Sequence, residues 1–79
     1  MKARITVTLK TGVLDPQGKA IEGALNSLDV PGISDVRQGK VFELEIAETD
    51  AARATATLKL ACEKLLANTV IENYRIELV

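Results

Sequence analysis

Three features of this sequence invite a chemical reading: a Gly-Lys pair ahead of a helix, one cysteine, and two acidic residues on one strand face. The stretch Gly12-Val13-Leu14-Asp15-Pro16-Gln17-Gly18-Lys19-Ala20 ends in Gly-Lys as a phosphate loop does. Five residues separate its glycines where that motif has four, and Ala20 stands where a magnesium-binding hydroxyl belongs. Asp15 would repel phosphate, and Pro16 removes a backbone donor, so the stretch reads as a capped helix start. Cys62 falls on an apolar helical stripe, and the chain has no histidine to act as its base. It reads as a packing residue. Glu43 and Glu45 share a strand face, where carboxylates are usually solvated. No general base, oxyanion hole or metal cage emerges, and the expected catalytic, cofactor-binding and metal residues are none.

The elements around these residues are local and well punctuated. Ile5, Val7 and Leu9 alternate with Arg4, Thr6, Thr8 and Lys10, the period of a half-buried strand. Asp15-Pro16 opens a helix whose apolar stripe is Ile21, Ala24, Leu25 and Leu28, and Pro31-Gly32 ends it. Residues 33–37 read as a second strand, Gln38-Gly39-Lys40 as a hairpin-like turn, and residues 41–47 as a third strand with Phe42, Leu44 and Ile46 on one face. Thr49 or Asp50 caps a second helix with the stripe Ala54, Leu58, Ala61, Cys62 and Leu65, and Leu60 lies off that stripe. Asn68 suits a left-handed helix end. Tyr74, Ile76 and Leu78 alternate in a last strand.

The order βαββαβ predicts an α+β, ferredoxin-like single domain over residues 1–79, a four-stranded antiparallel sheet with two helices on one face. The opposite face should carry Arg4, Thr6, Thr8, Lys10, Glu43, Glu45, Arg75 and Glu77, with basic and acidic strands paired. The RNA-recognition module shares the topology. It needs outward aromatics on the first and third strands, and Thr6, Thr8, Glu43 and Glu45 occupy those positions.

Composition narrows the classes further. Of 79 residues, 47% are hydrophobic, which argues for a folded domain, and the formal net charge of −1 gives no footprint for nucleic acid or a membrane. The opening Met1-Lys2-Ala3-Arg4 lacks the apolar stretch of a signal peptide or bilayer span, so a cytoplasmic location is expected. A domain this small has a thin stability margin. With one cysteine and no zinc motif, association with another chain is the expected reinforcement, a homodimer or a dimer of dimers.

Three blocks spanning nearly the whole chain resemble one family. They are Val7-Thr8-Leu9-Lys10 followed by residues 12–21, residues 35–40, and residues 62–74 with their Leu66-Ala67-Asn68-Thr69-Val70-Ile71-Glu72 core. In order and spacing they resemble the PurS-type small subunits of phosphoribosylformylglycinamidine synthase, in which proline often stands where this chain has Thr69. The resemblance implies a three-component enzyme of purine biosynthesis. A glutaminase subunit releases ammonia, a large synthetase subunit uses ATP and magnesium to activate formylglycinamide ribonucleotide, and the small subunit bridges them and assists ammonia transfer. This chain itself needs no cofactor in that scheme. The blocks nominate Asp15, Gln17, Arg37, Lys40, Leu66, Ala67 and Asn68 as partner contacts. Two other readings share the topology: a regulatory module binding a small effector at a dimer interface, and an acylphosphatase-type enzyme. The latter wants an arginine after the first strand, where Thr11-Gly12-Val13-Leu14 has none.

Overall fold

A computed structural model describes residues 1–79. The central strand β1 (Lys2–Leu9) pairs antiparallel with β2 (Gly39–Glu45) on one side and β3 (Glu72–Leu78) on the other. The alternation in β1 puts Ala3, Ile5 and Val7 on a buried face, opposite Leu44, Phe42 and Lys40 of β2 and Leu78, Ile76 and Tyr74 of β3. Helix α2 (Ala51–Ala61) covers that face through Ala54 and Leu58, and Cys62 and Ala67 complete the core beyond its end. Asp50 starts α2 by accepting the Ala52 and Arg53 amides. The reverse face is polar as expected, with Arg4 opposite Glu43 and their charged atoms 3.8 Å apart. Phe42 turns toward the helix-covered side, which removes the aromatic platform an RNA-recognition module needs.

The sheet has three strands, not the four expected. Residues 33–37 do not form a strand, and Gln38-Gly39-Lys40 is no hairpin turn, because Gly39 and Lys40 already pair with β1. Left-handed backbone at Gly32 (φ 81°) and Asp35 (φ 55°) breaks any extended run. The amides of Val36 and Gln38 are taken by the carboxylates of Glu22 and Asp15 instead of a ladder.

Helix α1 (Pro16–Ser27) also departs from the expected two-helix layer. Its one buried residue is Gly18, and it lays no extended face on the sheet. The helix and the returning residues 28–38 form an arm, closed by Val30 N–H donating to Leu25 O at 3.1 Å and Val36 N–H donating to Glu22 Oε1 at 3.2 Å. The molecule is correspondingly long and thin, 48 × 25 × 15 Å.

A third correction concerns the end of α2, where residues Cys62–Leu66 widen into a π turn closed by Ala67 N–H on Cys62 O. The extra residue per turn rotates the stripe. Leu65, expected inside, is 83% exposed, and Leu66 is half-buried in its place. Asn68 is not left-handed either; its side chain accepts the Val70 amide at 3.2 Å and starts the turn into β3.

Candidate functional site

Of the nominated residues, Asp15, Gln17 and Lys40 meet at one end of the sheet, and Asn68 joins them through Glu72. That end holds the last residues of β1, the first of β2 and β3, and the start of α1. Asp15 is its anchor. The Gly18 amide donates to Oδ1 at 2.8 Å, the cap expected of an Asp-Pro helix start, and the Gln38 amide donates to Oδ2 at 2.6 Å. Only 4% of Asp15 is exposed. The hydrogen bond from Gly18, then that from Gln38, hold its carboxyl below the usual aspartate range, helped by the Arg37 charge and opposed by desolvation. With both oxygens taken, Asp15 builds the site and does not display itself.

Gln17 and Lys40 do face outward, across a cleft of ≈ 290 Å³ floored by Val7 and Leu9. The Glu72 carboxylate stands on the cleft's third side, with Lys40 Nζ 3.9 Å from Oε2 and the Asn68 amide donating to Oε1 at 2.6 Å. Glu72 thus ties Lys40 of the 35–40 block to Asn68 of the 62–74 block across β1, a role that sequence reading missed. Lys40 also sits 5.7 Å from the Phe42 ring centre, shielding part of an otherwise open aromatic. Arg37 lies on a neighbouring depression with Thr8, Thr11 and Gly12, and its Nη2 donates to Lys10 O at 3.2 Å. The 66–68 segment splits. Ala67 is buried in the core and Leu66 half-buried, whereas Asn68, Leu65 and Val70 are exposed.

No side chain here is poised for catalysis. Cys62 is fully buried, and burial first, then the Glu63 charge, pushes its thiol up, away from the reactive thiolate. No group of three or more histidine, cysteine, aspartate or glutamate residues is placed to hold a metal ion. No helix is long and apolar enough to cross a membrane.

Comparison with known proteins gives this end of the sheet a context. Residues 2–79 match the family model described as PurS: Phosphoribosylformylglycinamidine (FGAM) synthase. The chain belongs to the PurS family. Among curated relatives, the PurS subunit of phosphoribosylformylglycinamidine synthase from Mycobacterium leprae is 53% identical, over 95% of this chain and 91% of the relative. That of Bacillus subtilis is 50% identical over 96% and 89%. The solved B. subtilis PurS structure superposes with a TM-score of 0.86, covering 96% of this chain and 94% of that one. A chain in the Thermotoga maritima PurLQS structure superposes with a TM-score of 0.89 at 34% identity, covering 96% and 93%. The high TM-scores place the three-stranded sheet and the α1 arm within the architecture of PurS structures.

Proposed function

We infer that this chain is the non-catalytic small subunit of phosphoribosylformylglycinamidine synthase, working in the cytoplasm. The observation that carries the reading is the near full-length match to PurS subunits, joined by the likeness to a chain of the PurLQS assembly. The site is consistent with it, since it offers contact chemistry and no reaction centre. ATP and magnesium serve the large subunit, and no cofactor is assigned to this chain.

In this role the end of the sheet built by Asp15 and Glu72 is the docking surface. Gln17, Lys40, Arg37 and Asn68 present donors and acceptors to the glutaminase or synthetase subunit, and Leu65 and Val70 add exposed apolar contacts beside them. Asp15 and Ala67 support that surface from within. The physical purpose of such a bridge is to exclude water from the ammonia route, because free ammonia protonates and escapes in bulk solvent.

Omission from a reconstituted complex tests the reading. Glutaminase and synthetase subunits without this chain are expected to lose glutamine-dependent amidine formation while keeping part of the ammonia-dependent activity. Unchanged glutamine-dependent turnover would remove the bridging role.

A further inference from the structure

The turn that leaves β1 holds hydrogen-bond donors that the chain itself does not use. Val13 N–H donates to Lys10 O at 3.1 Å, and Gly12 between them is left-handed at φ 91°. Lys10–Val13 is therefore a β-turn, whose two central amides fall outside its own hydrogen bond. Those amides, of Thr11 and Gly12, donate to nothing else in the chain, and the hydroxyls of Thr8 and Thr11 are equally free. Arg37, on the segment returning from α1, donates from Nη2 to Lys10 O at 3.2 Å. That bond holds the guanidinium beside the turn and leaves its other N–H groups for a ligand.

These donors line one open depression of ≈ 420 Å³, formed by Thr8, Leu9, Thr11, Gly12 and Arg37. The volume lies in the range of small-molecule sites, about 300–1,000 Å³. Its lining carries a cation and no carboxylate. The carboxylates at this end of the sheet are engaged elsewhere. Asp15 is 4% exposed with both oxygens on amides, and Glu72 is shared between the Asn68 amide and Lys40. Asp15 does sense the Arg37 charge, which limits affinity for an anion without placing an acceptor in the depression. A guanidinium fork, two hydroxyls and two backbone amides around one concavity suit a tetrahedral oxyanion, whose oxygens take several donors at once. A flat carboxylate would leave part of this set unused.

We propose that this depression binds the phosphate group of a small ligand, held by the Arg37 guanidinium, the Thr8 and Thr11 hydroxyls and the Thr11 and Gly12 amides. Free phosphate and a phosphate monoester present the same group, and the depression is open enough for the rest of an ester to extend outward. It is lined apart from the cleft between Asp15 and Glu72, so a bound ligand leaves Gln17 and Lys40 to a partner chain. The proposal goes beyond the enzyme assignment. Its failure would leave that assignment standing, because the pure chain suffices to test it.

The test is an amide NMR titration of the pure chain, with inorganic phosphate and ribose 5-phosphate in separate arms at constant ionic strength. Saturable shifts of the Thr11 and Gly12 amides and of the Arg37 side-chain N–H are expected, with a Kd on the order of 1 mM. Tighter binding of the ester would identify a monoester as the occupant, and equal or weaker binding the free ion. Arg37→Gln should weaken binding at least about tenfold, with the amide spectrum elsewhere unchanged. Where that variant disturbs the fold, Thr11→Val keeps the side-chain shape, removes one hydroxyl and should weaken binding several-fold. Shifts that rise linearly and spread over the whole surface would mean an adventitious ion only. That result, an equal response to chloride, or binding that survives both substitutions would each overturn the proposal.

Discussion

At the scale of single residues, Asp15 does two things, and only one is written locally. An aspartate before proline announces a helix cap, but nothing near position 15 announces the bond to Gln38, 23 residues away. That second bond makes Asp15 the link between α1 and β2. Its folded pKa is lowered. Its charge therefore stabilises the fold fully above the unfolded value of about 3.9, and the contribution is lost as pH falls through the folded value. An Asp15→Asn variant at fixed chain concentration should melt lower at neutral pH, by roughly 4–8 °C if the loss is that of one cap. The gap from wild type should close on acidification below pH 4, as thermal melts followed by circular dichroism would reveal. A gap constant down to pH 3 would assign the loss to shape and not to charge.

Cys62 is a residue whose role sequence reading identified, because an apolar stripe without histidine leaves packing as its task. Its thiol should stay unreactive toward a disulfide reagent until urea unfolds the chain. Cys62→Ser, which puts a hydroxyl into a pocket built for sulfur, should lose about 1–3 kcal/mol in urea denaturation. Rapid labelling of the native chain would place the sulfur at the surface.

Among the elements, what was legible was local. The strands at both termini, the two capped helices and the polar sheet face follow from periodicity and capping. The missing strand does not, because residues 33–37 are decided by carboxylates of α1 competing for the Val36 and Gln38 amides. The π turn is equally silent: a single widened turn leaves composition unchanged yet moves Leu65 outside. The placement of α1 was illegible for another reason. A stripe says that a helix face is to be buried, but not against which surface.

Two glycines of α1 separate propensity from packing. A Cβ on Gly18 would lie 2.2 Å from Val36 O and 2.9 Å from Asp15 Oδ2, whereas a Cβ on Gly23 meets nothing within 4 Å. Alanine at either position gains helix propensity of about 1 kcal/mol. At 23 that gain should appear in full as added stability. At 18 the arm has to open to relieve the clash with a backbone carbonyl, for a net loss on the order of 1–3 kcal/mol. Urea denaturation of Gly18→Ala and Gly23→Ala should therefore move in opposite directions. Equal shifts would mean that the arm does not pack as closely as the Val36 contact requires.

For the molecule as a whole, the weakness of the single-chain core is the governing fact. The buried apolar residues are Ala3, Ile5, Val7, Ala54, Leu58, Cys62 and Ala67, three of them alanines. Leu14, Leu28, Leu65 and Val70 lie 71–83% exposed. A core that small supplies little net stability once chain entropy is set against it. Coupling of folding to association is the expected consequence, and the free energy of the native state would then depend on how many chains are present to associate. Each tenfold increase in concentration adds about 1.4 kcal/mol to a dimer relative to two unfolded chains. Spread over a cooperative unit of two chains, this raises the melting midpoint by about 3–6 °C. Circular dichroism melts across a hundredfold range of concentration should accordingly show a midpoint that climbs at each step. A midpoint indifferent to concentration would mean that the chain folds alone, with its long arm stable in water.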